Sequence, residues 1–425
     1  MELFSPAIAR DAREGVAARM FAVAWGFFAI ASLIGLLLRV QAMVAFGGIN
    51  YGHLLHAHSH VAFLGWVFNA FFALSMCLFV REREVRGYGR LFGVTQLAVV
   101  GMLIAYPVQG YARWSIAAST LHMVCSGVFA WKLWRSRAAT GVEGNYLRAG
   151  LVCMVVSGAG PLALGPLAAS GLRDSPLYVL AIYFYLHCQY NGWFLLFLQA
   201  ALLRRMKQCG AGADEPLARR AFGWLGAGVI LTFALSALWT EPPAWVRAAA
   251  LAGGVAQLVG AFYFLKSVRS ASAVPAMNGG VVRWLGAIAA GAYGFKVVLQ
   301  LAAAIPGVDA VAIQRSSVIG FLHLVFLGVV TPLLIAAAIE RGWMRREGCG
   351  RAGLVLYLAG ALMTGVILAW PTFARVCGFS AVDGQPLGLV LAAALSAAGI
   401  LVLAGALRTK QVANESGEKD TGKEP

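Results

Sequence analysis

The sequence predicts an all-α polytopic membrane protein of twelve transmembrane helices. Three observations predict it. Sixty per cent of residues are hydrophobic and 12% are charged, where a soluble domain carries about 25% charged residues. Mean hydropathy is +0.75, and apolar runs of about 20 residues, each able to cross ~30 Å of hydrocarbon, recur along all 425 residues. Lysine and arginine alternate between rich and poor loops. Together these exclude a soluble globular enzyme, a disordered chain and a nucleic-acid-binding protein. Seven cysteines, none in a C-x-x-C pair, give neither a disulfide framework nor a zinc signature.

The apolar spans run roughly over 18–38, 54–80, 91–109, 114–134, 149–171, 177–203, 221–240, 244–265, 283–304, 316–339, 352–371 and 385–407. The fifth carries Pro161 and Pro166, which neighbouring helices tolerate in a membrane. Met1–Glu14 has mixed charge and leads into a full-length span, unlike a cleavable signal peptide. Residues 1–410 read as one transmembrane domain. The polar segment 411–425 has the composition of a disordered cytoplasmic tail. No internal repeat is evident.

Of 34 basic residues, 27 fall on one set of loops and termini: near Arg13, Arg83, Arg135, Arg205, Arg269, Arg345 and Arg408. The opposite loops carry one each: Arg39, Arg113, Arg173, Arg247, Arg315 and Arg375. The last, Lys296, lies inside span nine. By the positive-inside rule both termini are cytoplasmic. The +16 net charge follows from topology and anionic lipid, so no nucleic-acid partner is needed.

The seven histidines, His53, His56, His58, His60, His122, His187 and His323, all lie near or within spans two, four, six and ten. Counting from the outer ends, most sit roughly 10–15 Å deep at 1.5 Å per residue. This places imidazoles in one layer of the outer half. Intramembrane polar residues are costly and usually functional, and neutral imidazole binds haem iron, copper and zinc. No Asp or Glu lies deep in any span, which argues against a carboxylate-coupled transporter and a carboxylate-bridged di-iron centre. In Tyr51-Gly-His-Leu-Leu-His-Ala-His-Ser-His60, His53, His56 and His60 share one helical face and His58 points roughly the other way. His187 sits in the polar run Tyr183-Phe-Tyr-Leu-His-Cys-Gln-Tyr-Asn-Gly-Trp193, with Tyr190 on its face as a proton or hydrogen-bond donor.

Twelve spans with histidines on the second, sixth and tenth resemble the catalytic subunit I of heme-copper oxidases and nitric oxide reductases. In that family, helices two and ten hold the low-spin haem. The first histidine of an H-x-H pair on helix ten holds the high-spin haem, and helices six and seven hold copper or non-haem iron. His58-Ser-His-Val-Ala-Phe-Leu-Gly-Trp-Val-Phe-Asn69-Ala resembles the helix-two segment of C-type oxidases, so the resemblance makes His58 the low-spin ligand, with His60 or His56 as alternatives. Gly320-Phe-Leu-His323 resembles the G-H-x-H segment, so His323 takes the opposite axial position. His187-Cys-Gln-Tyr-Asn-Gly192 resembles the nitric oxide reductase stretch on helix six. Arg375 stands where the family places cations on the haem propionates. Phe321 replaces the high-spin ligand, and span seven has no histidine. The His-Ala-His start of span two is also similar to NnrS-type haem and copper proteins.

The resemblance implies a heme-copper oxidase subunit-I-like bundle in a bacterial inner membrane, with one bis-histidine haem b between His58 and His323. Trp66 and Asn69 would stand beside it. A second metal such as copper would fall to His187, His56, His60 and Tyr190. The implied role is membrane electron transfer or a nitric oxide or oxygen response, with a quinol or a separate redox subunit as partner, since no C-x-x-C-H motif is present. Two other readings are an active terminal oxidase or nitric oxide reductase with an unusual site, and a haem-free metal transporter using Lys296.

Overall fold

The computed structural model describes residues 12–44, 47–136, 138–269, 280–312, 314–379 and 384–408. The segment 411–425 lies outside the described residues. Among the described residues, eleven helices are long and apolar enough to cross a membrane: Arg13–Gln41, Tyr51–Leu78, Glu82–Gln109, Arg113–Trp134, Val142–Ala169, Glu215–Thr240, Ala244–Arg269, Gly280–Ala302, Arg315–Glu340, Cys349–Arg375 and Gln385–Ala404. Another helical passage, Pro176–His187, Cys188–Phe194 and Leu195–Gln208, fills the place of the sixth span. Each observed helix overlaps the apolar run expected for it, and most extend a few residues into flanking polar sequence. Among the described residues the one β-like feature is an isolated bridge between Met344 and Leu407.

Consecutive spans pack as antiparallel neighbours, and span one closes the bundle against span twelve. Short polar links set where each helix begins. Asn50 accepts a hydrogen bond from the His53 amide at 3.1 Å, so span two starts at Tyr51 and its histidines occupy the first three turns. Asp214 caps span seven through the Leu217 amide at 2.9 Å. Such caps satisfy amides that the first helical turn leaves unpaired. The basic face is tied by ion pairs: Arg205 to Glu340 at 2.9 Å, Lys207 to Glu143 at 3.2 Å, and Arg341 to Glu14.

Spans two, six and ten share an irregularity. Each changes from α- to π-helical immediately after a histidine: Val61–Phe68 follows His60, Cys188–Phe194 follows His187, and Leu324–Val330 follows His323. Single π turns inside α-helices are uncommon and gather at functional sites. The sequence repeats in register with them. His60-x-x-Phe63-x-Gly65, His187-x-x-Tyr190-x-Gly192 and His323-x-x-Phe326-x-Gly328 share one pattern. The glycine has the same use in all three. A Cβ on Gly65 would stand 2.9 Å from Phe27 of span one, one on Gly328 would stand 3.0 Å from Ala292 of span nine, and one on Gly192 would collide with Cys153 of span five. Each of these three spans thus packs its glycine against the span before it, and the arrangement recurs every four spans. The sequence reading found no repeat, because the motif is six residues long and recurs after more than a hundred.

The two halves of these central spans differ in packing. Beyond the π turns, Asn69–Leu78, Leu195–Gln208 and Thr331–Glu340 are mostly buried. Phe71 stacks on Phe197 at 4.3 Å and Phe28 on Trp66 at 4.6 Å, in an interior of aromatic pairs. Before the π turns, Arg315–His323 has no buried residue and Pro176–His187 has only His187. The core is therefore dense toward the basic face and loose toward the histidine face.

Candidate functional site

His58 and His323 are held in the same way. The His58 ring lies in the groove of span one, with Nδ1 2.9 Å from the Ala31 carbonyl and Cε1 against Gly35. His323 Nδ1 lies 2.8 Å from the carbonyl of Ile319, one turn earlier on its own helix. A carbonyl oxygen only accepts, so in both rings Nδ1 carries the proton and donates. Each Nε2 is left with its lone pair and, among the described residues, no hydrogen bond. This is the tautomer that a metal-ligating imidazole requires, fixed by a carbonyl behind it. The two rings lie within electrostatic range of each other. Both are surrounded by protein and still keep accessible surface. Tyr185 and Tyr190 on span six share that property. Interiors are ordinarily packed without such gaps, so the packing around these side chains is looser than in the aromatic core.

Arg39, at the end of span one, lies within electrostatic range of His58, His323, Tyr51 and Arg315. The Arg315 guanidinium stands 6.0 Å from the Tyr51 ring. Arg39 thus stands near the histidine pair, and Arg315 stands near Arg39. Sequence reading counted them only as topology markers. Arg375, the cation expected there, is exposed in the last turn of span eleven.

The other expected site residues are dispersed. His60 faces span three. Its Nδ1 donates to the His56 carbonyl at 2.8 Å, and its Nε2 accepts from the Tyr106 hydroxyl at 3.0 Å, with Tyr111 at 3.3 Å. The His56 ring packs edge-on against Tyr111 at 4.5 Å. His187 is 3% exposed; its Nε2 donates to the Val229 carbonyl at 2.7 Å, and its Nδ1 accepts from Asn191 at 3.2 Å. Phe233 of span seven packs on its ring at 5.6 Å. Tyr190 meets Phe321 edge-on at 5.8 Å. Among the described residues no group of three or more His, Cys, Asp or Glu side chains is placed to share a metal ion. His56, His60, His187 and Tyr190 are thus not brought together. Trp66 donates to Thr331 Oγ1 at 3.2 Å inside the aromatic core. Asn69 exchanges two amide hydrogen bonds with Gln96 of span three, at 2.9 and 3.2 Å. Their polar atoms are occupied by protein partners.

With this geometry in hand, the chain is similar to a heme-copper terminal oxidase solved by cryo-electron microscopy as a dimer. The TM-score is 0.66 and the identity 14%, covering 93% of this chain and 83% of that one. No family model and no curated protein matches the sequence. The likeness fixes the fold, an all-α membrane bundle of the heme-copper oxidase subunit I kind.

Proposed function

We propose that this protein binds one b-type haem between His58 and His323 and serves as a membrane electron carrier. The observation that carries the reading is the matched pair of imidazoles. Each is locked by its Nδ1–H on a backbone carbonyl, and each ring keeps accessible surface, with no hydrogen bond to Nε2 among the described residues. The residues therefore fit the group. A bound haem would supply one-electron redox chemistry, and two imidazole ligands would leave no open position on its iron, which favours electron transfer over small-molecule binding. Arg39 and Arg315 supply the positive charge that ionised propionates require at that end of the helices. Electrons would come from a quinol or a separate redox subunit, and the basic face is taken as cytoplasmic by the positive-inside rule.

The second metal position of the oxidases is read as lost. Support comes from His187, whose two ring nitrogens are both engaged by protein, and from span seven, which sets Phe233 against it. Oxygen or nitric oxide reduction would need that position. The test is an optical and paramagnetic resonance spectrum of the purified protein. One low-spin signal, unchanged by carbon monoxide and abolished in His58→Ala and His323→Ala, is expected. A preparation without haem from a haem-replete host would overturn the reading. A high-spin, carbon-monoxide-binding haem would replace it with an active reductase.

A further inference from the structure

Lys296 is fully buried in span nine, and among the described residues its Nζ has no hydrogen-bond partner. It shares a helical face with Tyr293 and Gln300, three residues before and four after, both also buried. Nζ stands 5.7 Å from the centre of the Tyr293 ring. The Tyr293 hydroxyl in turn is reached by Gln199 Nε2 of span six at 3.5 Å. Among the described residues Gln199 Oε1 and Gln300 Oε1 are buried without partners, as is Asn191 Oδ1 beside His187. Lys296 lies within electrostatic range of His187.

Each of these atoms is expensive to leave unpaired, and an isolated ammonium in the bilayer most of all. Among the described residues no carboxylate is within ion-pair distance of Lys296. A small anion would neutralise the lysine but would then face amide oxygens, which repel it. Water fits both kinds of group, accepting from the ammonium and donating to the oxygens. A buried water typically makes about three such bonds.

We propose that spans six and nine enclose a hydrated site centred on Lys296, in which trapped water joins the lysine to the side-chain oxygens of Gln199 and Gln300. Water around the ammonium offsets part of the cost of burying its charge. The site rests on no haem, and its test needs none.

Hydroxyl-radical footprinting of the full-length protein in nanodiscs reads internal water through nearby tyrosines. Tyr293 is expected to be oxidised several-fold more than Tyr357, which is also buried but bonds directly to the Leu327 carbonyl at 2.6 Å. Lys296→Met and Gln300→Leu should each reduce the Tyr293 signal, and Gln300→Leu carries this comparison if the methionine variant does not fold. Equal protection of Tyr293 and Tyr357 in the native protein would overturn the proposal, as would variants that label like the native protein. In a 15N-lysine sample, the Lys296 side-chain protons should exchange with deuterium oxide in minutes. Persistence for hours would mean a dry pocket.

Discussion

The His58 ring lies against the backbone of Gly35, so closely that a methyl group there would stand 2.9 Å from Cε1 and 3.3 Å from Nδ1. Span one therefore does two things for this imidazole: Ala31 accepts its proton, and Gly35 leaves the ring its place. Cβ atoms essentially never approach within 3.0 Å of another side chain, so Gly35→Ala must displace the ring. The expected outcome is a several-fold loss of bound haem or a changed low-spin resonance signal. Gly26→Ala on the same span meets nothing within 4 Å and should leave both unchanged. An unaltered spectrum in Gly35→Ala would remove His58 from the proposed ligand pair.

Arg39 is the cation in range of both candidate ligands. A nearby positive charge stabilises the reduced, less positive state of a haem. Arg39→Gln should therefore lower the midpoint potential, by on the order of tens of millivolts for a partly screened charge, and weaken haem retention. Arg375→Gln, at an exposed position, should move neither. Redox titration of the two variants checks the assignment; the reverse ranking would restore Arg375 as the propionate partner.

The fold was legible because its signals are long. Twenty-residue apolar runs and a loop-by-loop charge alternation survive any local detail. The proposed pairing of His58 with His323 comes from resemblance, since nothing local links residues that far apart. What escaped sequence reading was short or came from distant sequence. Gly35 and Ala31 look like ordinary members of an apolar helix until span two is laid against them. Asn69 reads as part of a haem motif, yet its amide pairs with Gln96. His56 and His60 are neighbours of His58 in sequence, but the helix turns them toward Tyr106 and Tyr111. The recurring histidine–aromatic–glycine pattern is visible in the letters once the π turns mark where to align them.

That pattern makes a stability prediction. A Cβ at Gly192 would collide with both Cβ and Sγ of Cys153. Overpacking of this kind costs about 1–3 kcal/mol. Gly192→Ala should lower the thermal midpoint in detergent, and Gly192→Ala with Cys153→Gly should recover part of the loss, because the colliding side chain is gone. Gly65→Ala and Gly328→Ala, with looser approaches of 2.9 and 3.0 Å, should cost less. A Gly192→Ala protein as stable as the parent would show that the repeated glycines are not close-packing positions.

At the histidine face, Arg247 of span eight meets Asp309, on the link before span ten, with Nη2 to Oδ2 at 2.6 Å. Burial acts to raise the pKa of this carboxyl, but the Arg247 hydrogen bond and charge, with the amides of Ala310 and Gly307, outweigh it and hold the pKa below the ordinary aspartate value. A carboxylate whose pKa is depressed on folding contributes stability that is complete above its unfolded pKa. That contribution is lost as pH falls through the lower folded value. The native protein should therefore exceed Asp309→Asn in thermal midpoint at neutral pH, with the gap narrowing as pH drops below about 4, the ordinary aspartate range. Melting curves of both proteins from neutral to acidic pH give the comparison. A gap that stays constant across that range would mean that the ion pair contributes nothing to holding the link against span eight.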